Sequence, residues 1–309
     1  MKISVIGVGG RGLNALNNIA LDIKDLTTIA VDTDSLALKT AKAKYVLQVG
    51  EGRSTAGSME LGRKAVENLV PKIVERIEGS ELVVVISGLG GGTGSGGHPV
   101  LVENIKSQLD TLVVSFVTIP FRTEALPRIN NAKTALPQII ESSDMTIVHF
   151  NDKLKEKHPT MALPRAYRTL DKLIANAIYV LKALDQITPI PGLMNVDFNV
   201  FKSIAVKSGL GFIGLGEGLN VREAFIKACE SPYCELNFKD ARGAIVVVES
   251  TETALSTSDI FDIQGTITSK YNVVNAYFGF KPTWAVQSPK VGFIATNVKS
   301  DMVTKFIEG

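Results

Sequence analysis

Residues 90–97 read Gly-Gly-Gly-Thr-Gly-Ser-Gly-Gly, directly after the apolar run LVVVIS at 82–87 and ahead of a helical pattern. Six of these eight residues lack a side chain, so the backbone can wrap an anion and aim several N–H groups at it. A helix opening there adds the partial positive charge of its N-terminus. Thr93 and Ser95 bring hydroxyl donors. A side chain at Gly92 or Gly94 would sit where phosphate oxygens meet backbone amides, and would forbid a positive φ. Neither this cluster nor the one at 7–12 ends in Gly-Lys-Ser/Thr, which excludes a P-loop NTPase.

Outward from this loop, short β-rich runs alternate with helical patterns: ISVIG (3–7), TTIAV (27–31), KYVLQV (44–49), LVVSFVTI (112–119) and MTIVHF (145–150). Between the third and fourth strands lies an amphipathic stretch, 58–78, in which Leu61, Ala65, Leu69 and Ile73 recur every four residues. Alternation of this kind predicts an α/β fold, a doubly wound parallel sheet with helices on both faces. Ligands of such sheets gather at the carboxyl ends of the strands. A long helical pattern from about 160 to 187 ends at Thr188-Pro189-Ile190-Pro191-Gly192, a firm stop. Strands at 243–249, 272–280 and 290–297, with helical patterns at 218–229 and 258–269, then predict a smaller α+β domain. The expected divisions are a nucleotide-binding domain (1–160), a central linking helix (161–190) and a C-terminal domain (191–309).

Gly7-Val8-Gly9-Gly10-Arg11-Gly12 also follows a strand and opens a helix, and Asp32 closes the next strand. That is the dinucleotide fingerprint with its ribose acid, and alone it would favour an NAD(P)-dependent enzyme. A dinucleotide fold has no use for a second phosphate cradle as rich as 90–97.

Composition narrows the classes further. A net charge of +2 over 309 residues, with no dense Lys/Arg run, argues against nucleic acid as a partner. MKISVIGVGG is too short an apolar run for a signal peptide, and no stretch of about twenty apolar residues spans a membrane. Cys229 and Cys234 lack zinc-site spacing, no metal-binding side-chain set is expected, and a reducing cytoplasm is the simplest location.

GGGTGSG resembles the signature of the tubulin/FtsZ superfamily, whose usual FtsZ form is GGGTGTG. Similar matches run from residue 3 to about 298: GVGGRGLNA (7–15), VDTDSLAL (31–38), VTIPF with Glu124 and Arg128 (117–128), FNDKL (150–154), PGLMNVDF (191–198) and ARGAIVVV (241–248). The resemblance implies a GTP-binding cytoskeletal protein that polymerises head to tail, with GTP/GDP and Mg²⁺ as its ligands and division or cell shape as its role. Gly9, Gly10, Arg11 and Gly12 would lie along the nucleotide, with Asn14 at the base. Gly90, Gly91, Gly92, Thr93, Gly94 and Ser95 would hold the phosphates, and Ala56 and Gly57 would approach the γ-phosphate. Glu124 matches the ribose-binding acid and Arg128 its basic neighbour, while Asn151, Tyr167 and Asp171 match base-contacting positions. Asp171 has an independent rationale: a carboxylate accepts two hydrogen bonds from guanine N1–H and the 2-amino group, whereas adenine leaves it unpaired. Such sites discriminate by about 10⁴–10⁵. Tyr167, four residues earlier on the same helical face, could stack on the purine.

Three departures from the pattern carry consequences. Arg11 and Leu13 replace glycines, which puts a cation beside the phosphates. The loop 50–58 is about four residues shorter than usual. After the proline stop, Asn195 and Asp197 match the family's co-catalytic segment, in which acids presented to the neighbouring subunit position the attacking water, but Val200 stands where the second acid belongs. The leading expectation is therefore hydrolysis completed in trans by the loop 191–201, assembly-dependent and weak. The alternative is a GTP-dependent scaffold with little turnover, and the NAD(P) reading is a remote third. FtsZ chains continue into a linker and a peptide that docks membrane-tethering adaptors. This sequence stops at Gly309, so either such a tail has been removed or tethering differs.

Overall fold

The computed structural model describes residues 1–22, 25–188, 196–284 and 288–309. By internal contacts it forms two compact units, one of Met1–Ile174 with Met302–Gly309 and one of Ala175–Asp301.

In the first unit the elements follow in order: β1 (Ile3–Val8), α1 (Gly9–Asp22), β2 (Thr27–Asp32), α2 (Ser35–Leu38), β3 (Tyr45–Gln48), α3 (Met59–Glu67) and α4 (Val70–Ile77). They continue with β4 (Leu82–Gly88), α5 (Gly92–Gln108), β5 (Leu112–Ile119), α6 (Leu126–Ser142), β6 (Met145–Phe150), α7 (Asn151–Lys157) and the start of α8 (Leu163–Ala183), which passes into the second unit at Ala175. The strands lie in the order β3-β2-β1-β4-β5-β6, and every pairing among them is parallel. Residues of both parities in β1, β4 and β5 are buried, which is what a parallel sheet covered on both faces requires. Strand order reverses between β1 and β4. Both glycine clusters leave the sheet there, at the ends of those two strands.

The amphipathic stretch 58–78 is two helices rather than one. Pro71 opens α4, and Leu69 sits at the junction as its cap residue. The break shifts the buried face to Gly62, Val66, Val70, Ile73 and Ile77, leaving Leu61 57% exposed. At the centre of the unit, α5 is buried along most of its length. Its His98 is wholly buried, with Nδ1 2.6 Å from Ser87 Oγ and Nε2 2.9 Å from Ser115 Oγ. Burial pushes the His98 imidazole down to about 3, so it stays neutral.

The second unit contains α9 (Phe198–Ala205), β7 (Gly209–Glu217), α10 (Val221–Ala228), β8 (Gly243–Ser250), α11 (Thr257–Gly265), β9 (Ala276–Pro282) and β10 (Lys290–Thr296). Its strands run β7-β10-β8-β9, with β10 antiparallel to both neighbours and β8 parallel to β9. The core joins Phe225, Phe238 and Phe293 to the strand valines. Sequence patterning misses β7, a glycine-rich strand. Its glycines let α10 press close: a Cβ at Gly214 or Gly216 would lie 2.0 Å from a backbone oxygen of that helix. After β10 comes α12 (Asp301–Glu308), which from Met302 onward belongs to the first unit and sets Phe306 edge-on to Phe150 at 5.8 Å. No helix among the described residues is long and apolar enough to cross a membrane.

Candidate functional site

Two helices begin at the switch point, α1 at Gly9 and α5 at Gly92. Gly9 holds φ +72° and lets the two turns touch, since a Cβ there would lie 3.1 Å from the Gly94 amide nitrogen. The cap residue of α5, Gly91, offers no side-chain hydrogen bond, so the first amides of a 17-residue helix have no capping side chain. They border a cleft of about 590 Å³. An anion is the ligand that such a helix end accepts.

Of the residues singled out from sequence, Gly9, Gly10, Arg11, Gly57, Gly91, Gly92, Thr93, Gly94, Glu124, Arg128, Asn151 and Tyr167 line this cleft. The structure brings them together from seven separate stretches of chain. The others lie elsewhere. Gly12 packs α1 against β4, where a Cβ would come within 2.3 Å of Ile86 O. Asn14 is exposed on α1, and Ala56, at φ +48°, is exposed beside Gly57. Asp197 belongs to the second unit and caps α9, accepting the Val200 N–H at 2.9 Å. Val200 is half-buried, and Asn195 lies outside the described residues.

The glycine cluster 90–97 meets two demands, of which only one concerns a ligand. Gly90 takes φ +102° and donates its N–H to Ser95 Oγ at 2.7 Å, and neither residue lines the cleft. Ser95 N is likewise committed, bonded to Gly91 O. Gly92 and Gly94 are helical and have no positive φ, contrary to the sequence expectation. Their hydrogens face packed neighbours: a Cβ would meet Thr55 Oγ1 and Ser58 O at Gly92, and Gly88 O at Gly94. Gly96 similarly packs on Met59 O. The anion-facing amides therefore narrow to the turn Gly91–Gly94, and the remaining glycines serve close packing of α3 and β4 on α5.

Around that turn the structure adds residues that sequence did not single out. Asn131 of α6 donates through Nδ2 to Gly57 O at 2.8 Å and Gly90 O at 3.1 Å, clipping the short loop 50–58 to the glycine turn. No sequence signal marks an asparagine inside a helix for this task. Thr33 and Thr93 share a hydroxyl contact of 2.9 Å. Asp34 caps α2, while Asp32 Oδ1 accepts the Thr33 and Asp34 amides. Burial raises the Asp32 carboxyl above its ordinary range, and those amides oppose the shift. Glu124 is braced by the Phe121 N–H at 2.9 Å and by Arg128 Nε at 2.5 Å.

At the far end of the cleft the expectations for Arg11 and Asp171 change. Arg11 turns away from the glycine turn: its guanidinium carbon stands 5.4 Å from the Tyr167 ring centroid, and Nη1 lies 2.5 Å from Asp171 Oδ1. Asp171 is 2% exposed and not part of the cleft wall, and Asn18 Nδ2 holds its other oxygen at 2.7 Å. Asn151 Oδ1, buried at the cleft edge, has no hydrogen-bond partner among the described residues. An orphaned acceptor there fits a ligand that brings its own donor.

The uncapped turn suits the anionic oxygens of a nucleotide, and the cleft that it borders also holds the aromatic ring of Tyr167. No group of three His, Cys, Asp or Glu side chains suited to a metal occurs among the described residues.

Comparison with known proteins agrees with the geometry. The tubulin/FtsZ family GTPase domain matches residues 2–158. Cell division protein FtsZ 1 of Pyrococcus horikoshii is 32% identical over 262 residues, 82% of this chain and 69% of the relative. An empty FtsZ dimer from M. jannaschii superposes with a TM-score of 0.79 at 30% identity, over 96% of this chain and 88% of that one. CetZ2 from Haloferax volcanii, solved as a GTPγS-bound protofilament, shares the fold with a TM-score of 0.86 at 20% identity, over 100% and 97%.

Proposed function

The chain belongs to the tubulin/FtsZ family of GTPases, and we propose that it binds GTP in the β1–β4 cleft and polymerises head to tail into protofilaments. The observation that carries this reading is the meeting of two helix N-termini, one of them without a capping side chain, at the switch point of a parallel sheet. Residues 1–160 hold the nucleotide, 161–190 connect, and 191–309 carry the loop offered to the next subunit. A loop of one subunit and the nucleotide of the next make a heterologous contact, which propagates as an open filament. Mg²⁺ enters with the phosphates. The filament works in the cytoplasm, in division or cell shape, and a tethering adaptor would link it to membrane.

Hydrolysis is proposed to be completed by the segment 191–201 of the neighbour, with Asp197 as its acid and Asn195 beside it. A second reading, a scaffold with little turnover, is favoured by a specific pair of facts: Val200 is apolar, and one Asp197 oxygen is already committed to capping α9. The two are separated by phosphate release measured across protein concentration. A trans site predicts turnover per molecule that is slow and rises with concentration, and Asp197→Ala removes most of it. A rate per molecule independent of concentration refutes the trans site, and the absence of turnover in assembled polymer selects the scaffold.

A further inference from the structure

Arg11 and Asp171 are 160 positions apart in sequence, and the fold joins them at the cleft, where Arg11 lines the wall and Asp171 does not. Three facts define their contact. The guanidinium stands over the Tyr167 ring at 5.4 Å, and its Nη1 reaches Asp171 Oδ1 at 2.5 Å. None of the three guanidinium nitrogens makes an aligned hydrogen bond, and neither does Asp171 Oδ1. The Arg11 stem passes through a gap that only glycine leaves: a Cβ on Gly88 would meet Arg11 Cβ at 2.5 Å and Cγ at 2.7 Å.

The chemistry of the two partners is instructive. The edge of guanine that carries N1–H and the 2-amino group is itself a guanidine fragment, flat and with adjacent N–H donors. Arg11 brings the same fragment, covalently attached, to an aromatic face and a carboxylate. We propose that Arg11 is an internal occupant of the base subsite, standing in for guanine on Tyr167 and Asp171 until a guanine nucleotide displaces it. This rests on the reading of Tyr167 and Asp171 as base-contacting residues. The charges of the pair touch, but the missing hydrogen-bond alignment leaves donors and acceptor unsatisfied, so a ring with better-aimed donors wins the exchange. Adenine offers Asp171 no donor and cannot win it. ADP then binds by its phosphates and ribose, with Arg11 still seated. Arg11 thereby lowers affinity for guanine nucleotides and compresses their preference over adenine, and its removal releases both.

The test uses nucleotide-stripped full chain, wild type, Arg11→Ala and Arg11→Gln, titrated calorimetrically with GDP, ADP and tripolyphosphate. Arg11→Ala should tighten GDP by about tenfold or more while shifting ADP and tripolyphosphate by less than about threefold, because sites that read a base by hydrogen bonds discriminate strongly once those bonds are available. The ADP-to-GDP ratio of dissociation constants therefore rises. Should Arg11→Ala fold poorly with Asp171 unpaired, Arg11→Gln keeps a neutral donor for the carboxylate and gives the same change in ratio. An unchanged ratio in the folded variants overturns the proposal. So does a parallel loss of GDP, ADP and tripolyphosphate binding, which would make Arg11 a phosphate ligand. If folded wild type and variants bind neither GDP nor ADP, the nucleotide reading itself fails, a result distinct from both.

Discussion

An alanine at Gly94 and an alanine at Gly91 separate the two demands on the glycine turn. At Gly94 the new methyl would lie 2.4 Å from Gly88 O, and that oxygen ends a buried strand. Ordinary contact is about an ångström longer, so α5 and β4 must part, and overpacking of this kind costs about 1–3 kcal/mol. Replacing a helical glycine recovers roughly 0.5–1 kcal/mol. The net expectation for Gly94→Ala is about 1–2 kcal/mol of lost stability, with weaker nucleotide binding as a consequence of the displaced turn. Gly91 is different: it has φ −82°, ψ 166°, which any residue adopts, and a Cβ there meets nothing within 4 Å. Gly91→Ala should change stability by less than about 0.5 kcal/mol, yet reduce nucleotide affinity by about tenfold or more by narrowing the anion turn. Urea unfolding followed by circular dichroism measures the first quantity, since the single tryptophan, Trp284, is fully exposed and a poor reporter. Calorimetric titration with GDP measures the second. The packing argument is refuted if Gly94→Ala unfolds at the wild-type urea concentration. The anion-turn argument is refuted if Gly91→Ala binds GDP as the wild type does.

His98 is buried and His149 half-buried, and desolvation pushes them down to about 3 and about 4, with Arg11 adding to the effect on His149. Their folded values lie below the unfolded one, so their stabilising effect is complete above pH ~6.5 and is lost as pH falls, by about 1.4 kcal/mol per unit for each. Urea midpoints at pH 7.5 and 5.5 should differ accordingly, with a shallower dependence in His98→Gln; a flat profile contradicts the burial. Asn131→Ala removes two loop-clipping bonds and should cost about 1–3 kcal/mol, together with weaker GTP binding than GDP binding, read by parallel titrations. Val200→Asp restores the second acid of the family pattern in the first turn of α9, where a carboxylate suits the helix N-terminus. GTP turnover per pelleted subunit should rise about tenfold or more, and an unchanged rate shows that this valine does not limit hydrolysis.

The parallel sheet is legible because apolar runs bounded by glycine clusters have few other meanings, whereas the strand order that sets its switch point leaves no local mark in the chain. A glycine-rich turn predicts an anion cradle, but composition cannot tell a glycine that frees an amide from one that admits a neighbouring backbone. Gly92, Gly94 and Gly96 are largely of the second kind. The same ambiguity hid β7, whose glycines accommodate α10, and made 58–78 read as one helix because a proline inside a periodic run can open a helix as well as end one. The sequence neighbours of Arg11 predict a place beside the phosphates. Its actual partners, Tyr167 and Asp171, lie on α8 and are brought to it only by the packing of that helix beside α1.

Sedimentation of the protein with GTP, GDP or ATP in magnesium, with negative-stain microscopy of the pellets, tests the central claim most directly. The account predicts pelletable single filaments above a threshold protein concentration with GTP, and none with ATP. Protein that stays monomeric at high concentration with GTP bound, or that assembles equally well with ATP, contradicts it.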